Sequence, residues 1–193
     1  MIDLHTLFDK PPRNDSFYII VIDGRGASGK SHLAELLAQR LDGFVVINGD
    51  DYFEPSTGSS AWGEFNEERF RQEVIGPLQV GARSLTIRPF EFDRGIIGEA
   101  EHLQIEGGVI VERCYSFSFD LGPDLRVWVE TPQEICLARG LDRDQALGQR
   151  AIRAWTEDWQ PREAAYIAAS SPSEHADVVV DGTQPFELQL RQS

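Results

Sequence analysis

Cysteine is scarce in this sequence, with two residues in 193, and histidine is hardly more frequent, with four. Cys114 and Cys136 fall in stretches typical of a strand end and a helix, so we expect inert core thiols rather than a disulfide or a metal pair. This usage fits a reducing cytoplasm. The histidines show no ligand spacing, which argues against a structural zinc site. They are His5, His32, His102 and His175.

Positive charge is also in short supply. The chain has 18 Lys and Arg residues against 32 Asp and Glu residues, which gives a net charge of −14 and a pI of about 4.6. So acidic a chain is poorly suited to displacing counterions along a nucleic-acid backbone, and we expect no nucleic-acid partner. Small molecules are expected instead, because a few basic residues can meet their charges locally.

Long apolar runs are missing as well, since none approaches the roughly 18 residues that a membrane span needs. The segment from Met1 lacks the basic flank and apolar core of a signal peptide, so we expect a cytoplasmic protein without a membrane partner. With 41% hydrophobic residues, residues 1–193 suffice for one compact domain rather than two. A homodimer is left open, because no feature of the sequence decides the oligomeric state.

One strong motif is present between residues 17 and 41. The apolar run 17–22 predicts a buried strand, Gly24 to Ser31 follow the pattern Gly-x4-Gly-Lys-Ser, and leucines on one face predict a helix afterwards. Such a loop turns its backbone N–H groups inward and forms an anion site at the positive end of that helix. Lys30 would reach the β- and γ-phosphates of ATP, and Ser31 would place its hydroxyl on Mg²⁺. The predicted nucleotide-binding residues are Gly24, Gly26, Ala27, Ser28, Gly29, Lys30, Ser31 and His32.

Acidic residues follow two other apolar runs, each predicted as a buried strand. One run leads into Asp50 and Asp51, and the other, at 109–111, ends at Glu112 in the manner of a Walker B strand. Strands that alternate with helices predict a three-layer α/β/α domain with a doubly wound, mainly parallel sheet. Such a sheet binds ligands at the carboxyl ends of its strands, where these acids should meet the phosphate loop. Glu112 is therefore predicted, with Ser31, to hold Mg²⁺.

A later helix carries two arginines on one face. The segment Thr131 to Glu134 predicts its start, with a capping box and a proline at the first helical position. Arg139 and Arg143 lie four residues apart, so they either pair with acids on a solvated face or reach a ligand together. The candidate acids are Asp142, Asp144 and Glu130.

The remaining segments give ordinary secondary-structure signals. A loop rich in Pro, Ser, Gly and Thr at 54–64 contains Trp62, which belongs either to an acceptor pocket or to a hydrophobic patch. Pro161 is expected to break or kink a helix. Strands are predicted at 44–48, 84–88, 103–105, 125–130 and 176–182, and a helix at 66–80.

The order of these motifs resembles the uridine kinase branch of the P-loop kinases, which also includes phosphoribulokinase and bacterial pantothenate kinase. The resemblance covers roughly residues 17–183. It implies that Asp50 is the catalytic base. It also implies a small helical lid, roughly residues 139–153, from which Arg139 and Arg143 close over the phosphates. The acceptor-binding candidates are then Asp50, Tyr52, Trp62, Phe90 and Arg94. The matching segments are Gly49-Asp50-Asp51-Tyr52-Phe53, Arg88-Pro89-Phe90-Glu91-Phe92-Asp93, Val109-Ile110-Val111-Glu112 and Leu137-Ala138-Arg139-Gly140-Leu141-Asp142-Arg143-Asp144.

The sequence also departs from that pattern. In the acceptor region, Phe90 stands where uridine kinases have Tyr, and Gly95 lies near the position where they have a His that contacts the nucleobase. After the acid Glu112, Arg113 replaces a glycine. In the lid, Gly140 replaces an arginine, and Gly148-Gln149-Arg150 stands in place of Arg-Gly-Arg. A site that recognises a nucleobase through hydrogen bonds loses heavily when polar groups are missing. Kinase chemistry is therefore implied, but uridine is not the expected acceptor.

These motifs predict an ATP- and Mg²⁺-dependent kinase that transfers the γ-phosphoryl group to a hydroxyl of a nucleoside or another metabolite alcohol. One alternative is a nucleoside monophosphate kinase of the cytidylate kinase type, although the stretch from Asp50 to Glu68 has no Arg or Lys to clamp an acceptor phosphate. Another is a nucleotide-binding switch or ATPase without an acceptor, which fits the reduced lid. Asp50 and Asp51 could also be a helix cap or a turn pair.

Overall fold

The structure is a computed structural model that describes residues 2–3, 11–13, 16–54, 64–145, 148–186 and 188–189. Its strands are β1 (Ile2–Asp3), β2 (Tyr18–Gly24), β3 (Phe44–Asn48), β4 (Phe53–Glu54), β5 (Glu64–Phe65), β6 (Ser84–Ile87), β7 (Phe90–Glu91), β8 (Ile96–Ile97), β9 (Glu101–Gln104), β10 (Gly108–Glu112), β11 (Leu125–Glu130), β12 (Val178–Asp181) and β13 (Leu188–Gln189). Its α-helices are α1 (Lys30–Ala38), α2 (Glu67–Phe70), α3 (Gly76–Gln79), α4 (Gln133–Arg143), α5 (Gln149–Arg153) and α6 (Gln160–Ser170). Shorter turns are 3₁₀ at Gly49–Tyr52, Ser116–Ser118 and Pro172–His175, and π-helical at Arg71–Ile75 and Ala154–Trp159.

Five strands form one parallel sheet in the order β12-β11-β2-β10-β3. The strand β2 comes first of the five along the chain and lies in the middle of the sheet, so later strands are added on both of its sides. This order confirms the predicted doubly wound sheet with flanking helices. It also places the loop after β2 at a topological switch point, where ligands bind in open α/β sheets.

The apolar run of β2 is buried because both faces of the sheet are covered. Ile19 and Val21 point into one core cluster, together with apolar residues of the helical segment 67–79. Ile20 and Ile22 point into the other, together with leucines of α1. Each such side chain contributes about 1.5–3 kcal/mol when fully buried. The loop after β2 therefore connects two elements that are both fixed in the core.

The strand register brings the ends of four neighbouring strands, β3, β10, β2 and β11, close to one level. Glu112 of β10 lies opposite Ile22 of β2 on one side and opposite Asn48 of β3 on the other. On the far side of β2, Val129 of β11 lies opposite Gly24. The residues that follow these strands consequently emerge along one edge of the sheet, as predicted.

The helix predicted at 66–80 is found, but it is interrupted. It runs as α2, the π-helical turn Arg71–Ile75 and α3 in direct succession. Pro77 lies in the first turn of α3, where the missing proline N–H is tolerated. Pro161 has the same position in α6, so the disturbance expected there is the π-helical turn Ala154–Trp159 that directly precedes α6 within one continuous helical run.

The helix start near residue 133 was predicted correctly, but the capping box was wrong. The N-cap residue of α4 is Pro132, and its side chain makes no capping hydrogen bond. The Thr131 hydroxyl instead donates to the backbone oxygen of Ser28, at 3.0 Å. A long-range contact to the phosphate loop therefore replaces the expected local one.

Both cysteines are free thiols, and Cys136 is buried as predicted, but Cys114 is only half-buried and is not the core thiol that was expected. Among the residues that the structure describes, no helix is long and apolar enough to cross a bilayer. Most of the predicted loop 54–64, with Trp62, lies outside the described residues.

Candidate active site

The loop from Gly24 to Ser31 joins β2 to α1 in an unusual backbone conformation. Gly29, the residue before α1, has φ +107, and Ala27 has φ +57, both in the left-handed region that favours glycine. Gly26, Ala27 and Gly29 line a cavity, as do the first residues of α1. The loop therefore has the curled shape and the helix N-terminus that an anion site needs.

Lys30 is 6% exposed and projects along the loop. Its ammonium donates to the backbone oxygen of Arg25 at 2.8 Å and to the Cys114 sulfur at 3.4 Å. Burial alone would lower the pKa of this ammonium, but surrounding negative groups, Glu112 and Asp50 among them, outweigh it and raise the pKa above the usual lysine value. Lys30 is thus a fixed positive charge beside the loop.

Ser31 and Glu112 meet beside the phosphate loop. The Ser31 hydroxyl donates to Glu112 Oε1 at 3.0 Å, and Glu112 is 3% exposed. Burial raises the pKa of Glu112, while the nearby Lys30 charge opposes that shift. The described residues contain no cluster of three or more His, Cys, Asp or Glu side chains that could hold a metal by itself. One hydroxyl and one carboxylate do fit Mg²⁺, which is usually bound by one or two carboxylates plus substrate phosphates and waters.

Asp50 and Asp51 lie in the 3₁₀ turn after β3, and they face different surroundings. The Asn48 side chain accepts the backbone N–H of Asp50 at 2.9 Å and so fixes the start of the turn. Asp50 is exposed and lines the cavity. Asp51 does not line it, and burial together with the charges of Asp50 and Glu101 raises its pKa to about 6. Only Asp50 is therefore placed to meet a ligand.

Arg69 holds this turn in place through hydrogen bonds, a role that the sequence did not indicate. Its guanidinium donates to the backbone oxygens of Asp51 at 2.7 Å and Phe53 at 3.2 Å. It also lies over the ring of Tyr52, 4.6 Å from its centre, and pairs with Glu73. Since Arg69 is 4% exposed, it is a structural cation that holds the acidic turn in place.

The two arginines of α4 both line the cavity. Arg139 donates to the backbone oxygen of Gly182 at 2.9 Å. Arg143 binds Asp144 through two hydrogen bonds of 2.8 and 3.1 Å, so one of the candidate acids is its partner. Although burial raises the pKa of Asp144, hydrogen bonds from Arg143 and Trp155 outweigh it and keep the pKa below its usual range. Arg143 is thus both held by an acid and turned toward the cavity.

Trp155 explains why Gly140 interrupts the arginine pattern of α4. A Cβ atom at Gly140 would lie 2.1 Å from the Trp155 ring, which is far too close. Trp155 is 1% exposed and donates its indole N–H to Asp144 at 3.0 Å. The departure at this position is therefore required by packing.

Two buried carboxylates, Asp23 and Glu163, organise the loop through long-range contacts that the sequence did not indicate. Asp23 accepts hydrogen bonds from the backbone N–H groups of Gly24, Tyr115 and Phe117 and from the hydroxyl of Tyr166. Burial raises the pKa of Asp23, and these hydrogen bonds oppose the shift.

Glu163, on α6, reaches the loop itself. Its Oε1 accepts the backbone N–H of Gly26 at 2.7 Å, and Arg25 lies 3.8 Å from its other oxygen. Burial raises the pKa of Glu163. One N–H group of the predicted anion site is therefore bound to a carboxylate of the protein.

The cavity has a volume of about 600 Å³ and collects most of the predicted site residues. Those that line it are Gly26, Ala27, Gly29, Lys30, Ser31, His32, Asp50, Glu112, Arg139 and Arg143. Phe53, Phe92, Arg113, Tyr115, Trp155 and Trp159 line it too, without having been predicted.

Several predicted acceptor residues lie elsewhere. Tyr52 is fully buried in the core against Phe70, so packing explains it. Phe90 is buried beside Phe92, which takes the place at the cavity that was predicted for Phe90. Arg94 is exposed and pairs with Glu91. Gly24 and Ser28 belong to the loop but do not line the cavity, and Trp62 lies outside the described residues.

Comparisons with known proteins support the fold. No protein-family model matches the chain, and neither does any curated protein. Among solved structures, a possible uridine kinase from Bacillus stearothermophilus matches with a TM-score of 0.66 at 17% identity, over 92% of this chain and 94% of that one. A proposed fructose transport system kinase from Silicibacter sp. TM1040 matches with a TM-score of 0.63 at 22% identity, over 91% and 95%. The sheet order and the phosphate loop of the present chain agree with these structural matches. Together they show that the chain has the fold of the P-loop kinases.

Proposed function

We propose that this protein is an ATP- and Mg²⁺-dependent kinase that transfers the γ-phosphoryl group to a hydroxyl of a small metabolite. The observation that carries the proposal is the shared cavity of Lys30, Ser31, Glu112 and Asp50. Phosphoryl transfer needs a phosphate cradle, a metal site, positive charge and a group that orients the acceptor hydroxyl. Each of these has a candidate on the wall of that cavity.

The nucleotide phosphates would lie along the loop. Its backbone N–H groups and the Lys30 ammonium provide the donors and the charge, and Arg139 and Arg143 add positive charge from α4. Ser31 and Glu112 would hold Mg²⁺, which supplies charge neutralisation at the phosphate oxygens when bound. These residues lie close together on the wall of one cavity.

The acceptor would bind next to Asp50. The turn that carries Asp50 is fixed by Asn48 and Arg69, so its carboxylate is held at the carboxyl end of β3. Such a carboxylate can accept the proton of an acceptor hydroxyl and orient its oxygen. Phe53, Phe92 and Tyr115 line the cavity as well and offer apolar surface to a metabolite. Asp50 is thus proposed as the catalytic base.

A coupled ADP-release assay tests the proposal. Purified protein with Mg·ATP is screened against nucleosides, pantothenate, sugars and other metabolite alcohols. A kinase releases ADP much faster with one acceptor than without any. A nucleotide-binding switch or ATPase releases ADP slowly at a rate that no alcohol changes, and that result would refute the kinase.

A further inference from the structure

Arg113 is a buried cation on the cavity wall that has no part in the nucleotide site proposed above. It directly follows Glu112 at the end of β10, and its side chain is 9% exposed and lines the cavity. The side chain crosses Gly49, where an added Cβ would lie only 2.3 Å from the Arg113 Cβ. Its guanidinium carbon lies 3.5 Å from the centre of the Phe65 ring and 5.2 Å from that of Phe119.

The guanidinium of Arg113 has ring contacts, but no described acid lies within ion-pair distance of it. Within the part of the chain that the structure describes, it forms no ion pair and donates no hydrogen bond. The other long cationic side chains of the cavity are engaged, Lys30 and Arg139 by backbone oxygens and Arg143 by Asp144. A guanidinium that lies over a ring keeps its N–H donors at its edge, where they can bind an anion in a bidentate manner.

An unpaired cation at this depth is costly to keep. Burial lowers the pKa of Arg113 because it removes the charge from water, although the nearby charges of Asp50 and Asp23 oppose that shift. A ligand that brings a negative group offsets this cost and gains charge-assisted hydrogen bonds. A buried guanidinium that forms no ion pair with the described residues therefore points to an anionic ligand.

The packing of Arg113 assigns that ligand to the acceptor rather than to ATP. Phe65 and Phe119 pack against the core cluster on one face of the sheet, the face that Tyr52 also helps to form. The helix α1, which continues from the phosphate loop, covers the opposite face. Arg113 also lies against Gly49, next to Asp50 along the chain. It is thus on the Asp50 side of the cavity.

We propose that the acceptor carries an anionic group, a phosphate or a carboxylate, and that Arg113 binds this group while Asp50 faces the hydroxyl. The inference rests on the kinase function proposed above. A cavity of about 600 Å³ limits the acceptor to a small molecule, such as a sugar phosphate or a hydroxy acid. Arg113 then sets specificity, because a neutral alcohol leaves its charge buried without a partner.

The test compares matched pairs of alcohols in the ADP-release assay. The pairs are ribose with ribose 5-phosphate, fructose with fructose 1-phosphate, glycerol with glycerate, and pantothenol with pantothenate. The charged member of at least one pair should have a kcat/KM about 100-fold or more above its neutral partner. Phosphates and carboxylates form separate arms, so the result also identifies the kind of anion.

Variants of Arg113 then test the residue itself. Arg113→Gln should raise the KM for the charged acceptor about 30-fold or more, and Arg113→Lys should raise it less, since it keeps the charge but loses the planar donors. The KM for ATP should stay within about 2-fold of the wild-type value. Arg162→Gln is the control, because Arg162 is exposed and pairs with Asp158 away from the cavity. Circular dichroism melts show whether each variant is folded.

The outcomes separate this inference from the kinase function. Turnover with neutral alcohols that equals or exceeds turnover with their charged partners overturns the inference and leaves the kinase standing. A weaker affinity of Arg113→Gln for ATP, with an unchanged KM for the acceptor, also overturns it, because Arg113 would then serve the nucleotide. If no alcohol of either kind stimulates ADP release, the kinase function fails and the inference falls with it.

Discussion

The backbone N–H of Gly26 donates to the carboxylate of Glu163 at 2.7 Å, so an acidic side chain occupies one donor of the phosphate loop. Phosphate oxygens of ATP need such donors, and the carboxylate must release this one before they can use it. Its negative charge also lies beside the loop on which the triphosphate is proposed to bind. Glu163 is therefore expected to weaken ATP binding.

Replacing Glu163 with Gln tests this competition. The amide keeps the size of the side chain but removes its charge, so the affinity for Mg·ATP should rise about 3- to 10-fold, as measured by isothermal titration calorimetry. Glu157→Gln removes one exposed acid from the preceding helical turn and should leave the affinity unchanged. A lower affinity in Glu163→Gln would show instead that the carboxylate holds the loop in its binding shape.

Arg69→Met should destabilise the fold and the turn that carries Asp50. The change removes a buried guanidinium that donates to three backbone oxygens, those of Asp51, Phe53 and Arg88. Losing these three buried hydrogen bonds should cost about 3 kcal/mol of unfolding free energy, measured by urea denaturation, while Glu73 keeps its ion pair with Arg88.

Arg71→Met is the matched control. Arg71 lies two residues further on, and its side chain is 52% exposed in a pair with Glu67. Its loss should change the unfolding free energy by about 0.5 kcal/mol or less. Equal effects of the two variants would contradict the supporting role of Arg69.

Asp51→Asn should change how stability depends on pH. Burial and the neighbouring acids raise the pKa of Asp51 from 3.8 to about 6 in the folded state, so the protonated form is favoured there. Below pH 3.8 the carboxyl is neutral in both states, and above pH 6 its charge is unfavourable in the folded state only, so wild-type stability falls as pH rises between these values.

Asn is neutral at every pH and lacks this penalty. After allowance for solvent screening, Asp51→Asn should be about 1 kcal/mol more stable than the wild type at pH 7.5 and equal to it near pH 4. Urea denaturation at the two pH values measures the difference. A variant that is less stable at pH 7.5 would show that the charge of Asp51 is stabilised, against this prediction.

Lys30→Ala should abolish turnover, because it removes the fixed positive charge beside the loop. A loss of at least about 100-fold in kcat is expected for an oriented charge in an enclosed site. The far-ultraviolet circular dichroism spectrum should be unchanged, since Lys30 makes no contribution to the apolar core clusters. Near-normal turnover in this variant would refute the assignment of the phosphate loop.

Much of this site could be predicted from the sequence because its motifs are local or fixed by strand register. The strand, loop and helix around Lys30 are contiguous, so composition and spacing were enough. Glu112 and Asp50 follow apolar strands of a parallel sheet, and such strands end at one edge whatever their order. The acids therefore meet the loop although they are far apart along the chain.

The contacts that the sequence did not predict depend on packing between segments that are far apart along the chain. Gly26 and Glu163 are 137 residues apart, and no spacing in the sequence shows which face of α6 meets the loop. The contact of Gly140 with Trp155 has the same origin, and an apparent loss of a lid arginine turned out to be a steric requirement.

A matching segment also does not reveal which of its aromatic rings reaches the cavity. Tyr52 and Phe90 belong to segments that resemble the kinase family, but the 3₁₀ turn directs Asp50 outward and Tyr52 into the core. In the other segment Phe92 lines the cavity, while Phe90 is buried beside it. Such choices are made by side-chain packing, which a sequence pattern does not specify.

The fate of the γ-phosphoryl group tests the central claim most directly, and ³¹P NMR can follow it with the best acceptor from the screen. The wild type should form a phosphate monoester with one equivalent of ADP and little inorganic phosphate. Asp50→Asn should form the same product about 10²- to 10⁴-fold more slowly with unchanged ATP affinity, and Asp51→Asn at nearly the wild-type rate. Inorganic phosphate as the main product in the wild type, at a rate that no acceptor changes, would contradict the kinase.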